Sequence, residues 1–321
     1  MRLSQSRILQ EAEMRPWSRT LLGLYIFFCI WAFSNQAWGS PYVLEQETGR
    51  IDWHTGLVMS QGQGFLPQQG LNNEQARKMA LRQALIQARQ SLWRTLQGIR
   101  IHQDLTLQDL LQDNKHVRSR VQGLVHNAQI LDKIVIRDQI LLVTVGINLW
   151  GDFARLVIPD AVWFSASSNR SSSLDGDSGP FLQKQLLEVR AQAYTGLILQ
   201  ARGLDVEPAL VCTVQDEEGN HVFGPAQADP QIALKQGMAL FAQSADPRLN
   251  KNVRVGSHPL RVSVLESGSE SGCHLVVDSD SGALLRQVAR QPGNFLQKCR
   301  VLIELDPPPD KDLQEYRLRD R

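Results

Sequence analysis

The stretch that decides the fold is NEQARKMALRQALIQARQSLWRTLQG, from Asn73 to Gly98. It contains no proline and no glycine before Gly98, so it predicts one long uninterrupted helix. At about 100° per residue, three of its four alanines and all four of its leucines fall on one broad face. The small alanines would let a sheet approach closely, and the leucines supply the apolar area. The face comprises Ala80, Ala84, Ala88, Leu81, Leu85, Leu92 and Leu96.

A second apolar stripe, Met79, Ile86 and Trp93, repeats every seven residues on the same helix. One interpretation is that a loop or another domain covers it, as happens with most such stripes. The other is that it docks a second subunit, because an exposed apolar patch needs a partner. The basic residues between the two faces, Lys78, Arg82 and Arg89, indicate a solvated face rather than a nucleic-acid site, since no aromatic residues interleave them.

The first 39 residues have the pattern of a secretory signal peptide. An apolar run from Leu21 to Phe33 follows Arg15 and Arg19 and precedes a short polar segment ending at Gly39. A basic, apolar and small-polar order favours cleavage, with an uncleaved anchor as the alternative. Cys29 lies inside the apolar run after Phe28 rather than at a cleavage point, so we expect no lipid anchor. The prediction is a periplasmic or outer-membrane-associated protein.

Composition indicates a globular chain without a strong electrostatic partner. The 321 residues are 42% hydrophobic and carry a formal charge of +1. Without residues 1–39 the chain has 30 basic and 31 acidic residues. This balance argues against a nucleic-acid binder, and the length accommodates two domains.

The segments around the long helix predict a first domain of the α+β class, at residues 50–150. We expect a strand at Ile51–Ser60, followed by a glycine-rich loop that contains Gly62 and Gly64. Gly62-x-Gly64 lacks the third glycine of a dinucleotide loop and is therefore interpreted as a turn. After the helix, Gly123 is expected to introduce a strand at 124–137, and a tight turn at Asp138–Gln139 leads to a returning strand at 140–149. The antiparallel sheet would pack on the one long helix.

Several motifs in this region also resemble a known family. The segments IDWHTGLVMSQGQG, ARKMALRQALIQARQSLWRTLQGIRI, VRSRVQGLVHNAQIL and VTVGINL are similar to the domain of a family of small Gram-negative surface lipoproteins. A related domain forms the N-terminal part of the periplasmic flagellar assembly protein T. The resemblance implies an exported α+β domain without a known catalytic set, found in envelope or flagellar-ring contexts. The chain departs from the lipoproteins because it lacks a usable acceptor cysteine.

A second domain with a mixed α/β sheet is expected at 180–306. A Ser/Gly/Asp-rich linker at 165–179 precedes it, and a charged tail at 307–321 follows it. The segments YTGLILQARGLDVEPAL and FLQKCRVLIELD resemble the C-terminal region of longer exported proteins, and this resemblance carries no information about activity. The expected helices are Phe181–Ala193, Pro230–Ala245 and Ser279–Gln291; the expected strands are Tyr194–Ala201, Ala209–Val214 paired with His221–Phe223, Leu260–Leu265, His274–Asp278 and a closing strand Lys298–Leu305.

Residue types that carry chemistry are present but scattered. Cys212, Cys273 and Cys299 allow one disulfide with one thiol left over, although three buried free thiols are the simpler interpretation. The segment Asp278–Gly282 resembles half a calcium loop but lacks the glycine and glutamate positions, so helix capping is the better interpretation. The seven histidines show no pair at metal-ligand spacing, and we expect no metal and no cofactor.

Arg202, beside Gly203 and close to Asp205, is the best pocket candidate in the second domain. A guanidinium at a glycine turn could hold a carboxylate or phosphate. The alternative is a structural turn in which Arg202 pairs with Asp205 or Glu207.

Two functional hypotheses follow. The first is a non-catalytic exported envelope protein that acts as an assembly or interaction module, in a flagellar or outer-membrane context. Its partner would be an envelope protein or a second copy, with no nucleic acid and only indirect membrane contact. The alternative is a ligand-binding or enzymatic second domain with an anion site near Arg202.

Overall fold

The computed structural model of the chain describes residues 41–66, 73–136, 140–159, 162–163, 194–243, 254–268 and 272–308. The expected signal peptide, the linker at 165–179, the helix at 181–193, the turn at 138–139 and nearly all of the tail lie outside the described residues.

The first part is an antiparallel five-stranded sheet packed on one long helix, as the sequence predicts. The strand order is β1-β2-β3-β7-β6. The elements are β1 Val43–Gln46, β2 Gly49–Asp52, β3 Leu57–Phe65, α1 Asn73–Gln97, β4 Arg100–His102, β5 Leu105–Thr106, α2 Leu107–Asp113, α3 Lys115–His126, β6 Gln129–Ile136, β7 Ile140–Asn148 and α4 Asp152–Val157.

The Ala/Leu face of α1 is buried against this sheet. Ala80, Ala84 and Ala88 are fully buried, as are Leu92 and Leu96, whereas Leu81 and Leu85 are partly buried against the same core. The prediction of a sheet covering this face is therefore confirmed.

Gly62 and Gly64 lie inside β3, so their assignment to a loop was wrong. Both face α1, and a Cβ atom on Gly62 would lie 2.2 Å from the carbonyl oxygen of Ala84. On Gly64 it would lie 1.9 Å from the carbonyl oxygen of Ala80. The glycines of β3 and the alanines of α1 together allow the helix and the sheet to pack closely.

Two further boundaries in this part differ from the expectation. The single strand expected at 51–60 is a hairpin, because Asp52 accepts hydrogen bonds from the backbone N–H groups of His54 and Thr55 and Gly56 adopts a φ of 73°. Gly123 lies within helix α3 rather than before a strand. Asn114 caps that helix, which buries Val121 and Val125 at helical spacing.

The second part is built on a seven-stranded mixed sheet, which also confirms the prediction. The strand order is β10-β9-β13-β12-β8-β14-β11, and both parallel and antiparallel pairs occur. The elements are β8 Gly196–Gln200, β9 Thr213–Asp216, β10 His221–Phe223, α5 Pro230–Gln236, β11 Leu240–Gln243, β12 Pro259–Ser267, β13 His274–Val277, α6 Ser279–Ala289 and β14 Val301–Leu305.

The sequence expectation fails at three places in this sheet. The helix expected at 230–245 stops at Gln236, because Gly237 has a φ of 82°, and a strand follows. The strand expected at 209–214 begins only at Thr213; the residues before it pair with β4, where the Leu210 N–H donates to the Arg100 carbonyl. The last strand, β14, does not close the sheet but lies between β8 and β11 with all five residues buried.

The two sheets share one continuous hydrophobic core. The ring of Trp53, between β2 and β3, packs edge-on against Phe241 of β11 at a centroid distance of 5.6 Å. Trp150 lies against both Gly56 and Gly237, and the Gly151 N–H donates to the carbonyl of Leu234 at 2.7 Å. The described residues from 41 onward therefore pack as one body. Among these residues, none of the helices is both long enough and apolar enough to span a bilayer.

Candidate functional site

Helix α1 presents its second face in a fixed orientation, because its first face is locked to the sheet. Beyond the end of β2, none of the described strands pairs with the outer edge of β3, and two glutamines of α1 bond to that edge instead. The side-chain oxygen of Gln87 accepts the N–H of Gln63 at 2.7 Å, and that of Gln83 accepts the N–H of Phe65 at 3.2 Å. Together with the alanine contacts, these glutamines hold the opposite side of α1 toward solvent.

The stripe of α1, defined as Met79, Ile86 and Trp93, lies on this opposite side. The exposed fraction is 59% for Met79 and 50% for Ile86. No loop or domain covers these two residues among the described parts of the chain. Trp93 is half-buried against the core. Met79 and Ile86 are therefore uncovered by the described residues, while covering by another segment and docking of a partner both stay predictions.

A groove opens beside Trp93 where α3 crosses the C-terminal half of α1. This open groove has a volume of about 450 Å³, and its lining comprises Arg89, Gln90, Trp93, Arg94, Gln122, Val125 and His126. The Nε atom of Arg89 is buried there without a hydrogen-bond partner in the described structure. Buried polar atoms are normally paired, so this donor is an exception to the usual pattern.

The charge around the stripe and groove is strongly one-sided. Helices α1 and α3 together carry eight lysines and arginines and a single acidic residue, Glu74. That carboxylate already pairs with Lys78 at 2.6 Å. Arg82 and Arg89 each follow an apolar stripe residue by three positions, which places them beside the stripe. The surface is therefore apolar along its axis and cationic along one side, in a chain whose formal charge is only +1.

Arg202, the expected anion site, lies against a carboxylate. Its guanidinium approaches the side chain of Glu304 at 3.5 Å. Glu304 is buried on β14 and also pairs with Arg261 at 3.0 Å. Of the two partners expected for Arg202, Glu207 is instead bound by Arg100 at 2.6 Å. One partner of Arg202 is therefore a buried acid that sequence spacing alone did not reveal.

A second buried ionic cluster lies at the β9–β10 turn. The Asp216 carboxylate accepts hydrogen bonds from Asn220 and from the guanidinium of Arg286. Burial alone would raise the pKa of Asp216, but these donors outweigh burial and lower it. The cluster joins α6 to the turn and has a structural role. Asp278 caps α6 by accepting the N–H of Ser281 at 2.9 Å, so the capping interpretation is confirmed.

The state of the cysteines differs from the simpler prediction of three buried free thiols. Cys212 and Cys273 form a disulfide across the beginnings of two neighbouring parallel strands, β9 and β13. Three free thiols was therefore the wrong interpretation. Cys299 is free and buried, and burial raises the pKa of its thiol to about 12, which keeps it protonated and unreactive. Within the described ranges, no group of three or more His, Cys, Asp or Glu side chains is arranged to hold a metal ion.

A further apolar surface, which was not predicted from the sequence, lies on β6, an edge strand of the first sheet in the described part of the chain. Its exposed apolar residues are Ile130, Leu131, Ile134 and Val135. Lys133 pairs across the sheet with the buried Val143, so it lies on the face that packs against α1. A charge in that position on an edge strand discourages pairing with another strand. We therefore place the candidate docking site on α1 and not on this edge.

A family model matches part of the chain. The model of the family described as Treponema pallidum Tp0624, second domain, matches residues 196–307, about a third of the chain. The matched span begins with β8 and ends two residues after β14, so it contains the whole seven-stranded sheet. No curated protein matches the chain.

Proposed function

We propose that this chain is a non-catalytic protein of the cell envelope that acts through its surfaces, as an assembly or interaction module. The observation that carries the proposal is the stripe of α1: Met79 and Ile86 are exposed on a helix whose other face is fixed by backbone contacts. An exposed apolar stripe on a rigid helix is a feature of protein–protein interfaces.

Two observations support export. Residues 1–39 have the order of a signal peptide. The Cys212–Cys273 disulfide fits an oxidising compartment, because disulfides persist outside the cytosol. The finer assignment to a flagellar or outer-membrane assembly rests on the resemblance of residues 50–150 to the surface lipoproteins and to flagellar assembly protein T.

The similarity of residues 196–307 to the second domain of a Treponema pallidum protein is compatible with this proposal and names no activity. The second part would then serve as a scaffold for the first. The hypothesis of an anion site loses its main support, because the guanidinium of Arg202 lies against Glu304.

The proposal is tested by cell fractionation combined with chemical crosslinking of intact cells that express the full chain. We expect a mature protein in the envelope fraction, crosslinked to a defined neighbour. The adduct should be lost in a Met79→Ser/Ile86→Ser variant and retained in Leu265→Ser, a control at an exposed position of β12. A cytoplasmic protein, or an adduct that the double variant leaves unchanged, would contradict the proposal.

A further inference from the structure

The spacing of the stripe specifies the shape of what it can bind. Met79, Ile86 and Trp93 recur every seven residues, so the stripe runs nearly parallel to the axis of α1. Fourteen residues of helix correspond to about 21 Å. A straight apolar line of this length is matched by a second helix that crosses at about 20° with apolar residues at the same interval. An extended strand has a period of two and would contact the line only at intervals.

The charge beside the stripe indicates whether its binding partner is a second copy of this chain or a different protein. If two copies paired through α1, Arg82 and Arg89 of one helix would face the same arginines of the other. Like charges at such flanking positions disfavour association. The single acid of α1, Glu74, lies at the far N-terminal end and is paired with Lys78. A helix flanked by glutamates or aspartates would instead find complementary charge along its length.

The groove marks where one end of this helix would be anchored. The half-buried Trp93 side chain lines it, together with Val125 and two arginines. An apolar or aromatic side chain that enters the groove would contact Trp93, and a neighbouring carboxylate could pair with the guanidinium of Arg89 or Arg94, which line the same groove. The groove therefore extends the stripe and adds a polar contact that would fix the position of the bound helix.

We infer that α1 docks an acidic amphipathic helix of a second protein, which lies along Met79 and Ile86 and inserts an apolar side chain into the groove beside Trp93. This inference rests on the proposed function and names the chemistry of its partner.

The test uses two synthetic helical peptides and the purified full chain. Both peptides carry leucines every seven residues and one phenylalanine; one has glutamates in the flanking positions, and the other has lysines there. We expect the acidic peptide to bind at least about tenfold more tightly in fluorescence anisotropy. Its affinity should fall as salt is raised from about 50 to about 500 mM, because salt screens exposed charges.

Variants at exposed positions separate the apolar and the ionic contributions. Ile86→Ser should abolish binding of the acidic peptide, whereas Leu265→Ser should not change it. Arg82→Glu should lower the affinity for the acidic peptide about tenfold and raise the affinity for the basic peptide. Lys298→Glu, an exposed charge reversal on the second part, should change neither affinity. Equal binding of the two peptides, or no effect of Arg82→Glu, would overturn the inference.

The other occupants are distinguished by parallel measurements. A dimer in sedimentation that Ile86→Ser dissolves would show that the stripe binds a second copy, and binding to anionic vesicles that Arg82→Glu abolishes would indicate a membrane surface. Either result overturns the acidic-helix partner. In cells, a crosslinked adduct that requires Ile86 but is unaffected by Arg82→Glu would also overturn the acidic-helix partner. The proposed function as an interaction module would still stand. The absence of any adduct at the stripe would remove the proposed function itself.

Discussion

At the scale of single residues, the position of α1 depends on the absence of side chains at Gly62 and Gly64. Their missing side chains let the backbone of α1 approach β3, where any Cβ atom would collide with helix backbone atoms. Because backbone cannot rotate out of the way as a side chain can, substitution there must move the helix. The orientation of the stripe toward solvent depends on this contact.

We therefore expect Gly62→Ala to destabilise the protein by about 1–3 kcal/mol or more, as overpacking in a tight core does. The matched control is Gly123→Ala in helix α3, where a new Cβ meets no atom within 4 Å. That change should stabilise by about 0.5–1 kcal/mol, because alanine is the better helix former. Urea unfolding followed by tryptophan fluorescence measures both. Similar effects of the two substitutions would contradict the close-packed contact.

Two histidines give the stability a pH dependence. Burial lowers the pKa of His274, with a further contribution from His221, and burial also lowers the pKa of His102. Since these pKa values lie below those of the unfolded chain, the unfolded state takes up protons first. Their contribution to stability is present above about pH 6.5 and is lost as the pH falls from there toward the folded pKa values.

The free energy of unfolding should accordingly decline between about pH 7 and pH 5. A His102→Gln/His274→Gln variant should show a shallower decline over this range. Asp216 and Asp278, whose pKa values are lowered, lose their contributions only below about pH 4, so they do not interfere. Urea titrations at several pH values provide the check, and an unchanged slope in the double variant would count against burial as the cause.

Residue-level chemistry was only partly predictable. The Ala/Leu pattern identified the buried face, because burial on a helix follows a period of 3.6 residues. The partner of Arg202 was missed, since Glu304 is about a hundred positions away and becomes a neighbour only when β14 inserts beside β8. The disulfide was left open for the same reason: Cys212 and Cys273 are 61 positions apart.

At the scale of elements, the disulfide joins the beginnings of β9 and β13, neighbouring strands in the part of the sheet farthest from β11. The cross-link closes a long loop and so restricts the unfolded chain. We expect Cys212→Ser/Cys273→Ser to lower the free energy of unfolding by about 2–4 kcal/mol. The same loss should follow reduction of the native chain, measured by urea unfolding with and without reductant. Insensitivity of the native chain to reductant would mean that the bond contributes nothing.

Elements were predictable where one signal dominated and were misjudged where two competed. The long helix has a continuous pattern and no interruption. At Gly123 the glycine suggested a break, but the helical spacing of Val121 and Val125 and the cap at Asn114 decided the outcome. Alternation across 51–60 hid the hairpin, whose turn depends on Asp52 and the positive φ of Gly56. In both cases the residues that cap a helix or form a turn determined the structure, although the sequence pattern around them suggested a different element.

At the scale of the whole molecule, the two sheets share one core, so their stabilities should be coupled. Phe241 of the second sheet contacts Trp53 of the first, and both are fully buried. We expect Phe241→Ala to cost about 3–5 kcal/mol and to lower the stability of both sheets together. Hydrogen exchange should show the loss at Val143 as well as at Ile303, in a single calorimetric transition. Weakened protection in the second sheet alone would indicate two independent units.

The order of the seven strands could not be read from the sequence. Strand identity follows from local pattern, but placing β14 between β8 and β11 depends on burial at both faces. All five of its residues are buried, which suits a central strand and not a closing one. In contrast, the spacing of the residues alone predicted the position of the stripe on α1. It did not predict that the stripe is exposed.

The central claim is that the stripe of α1 is a docking surface in the cell envelope. Its most direct test is site-specific photocrosslinking in living cells, with a photoreactive amino acid at position 86 and, as control, at position 265. We predict a discrete adduct with another protein from position 86, reduced in the Met79→Ser background, and none from position 265. No adduct from position 86, or the same adducts from both positions, would contradict the account.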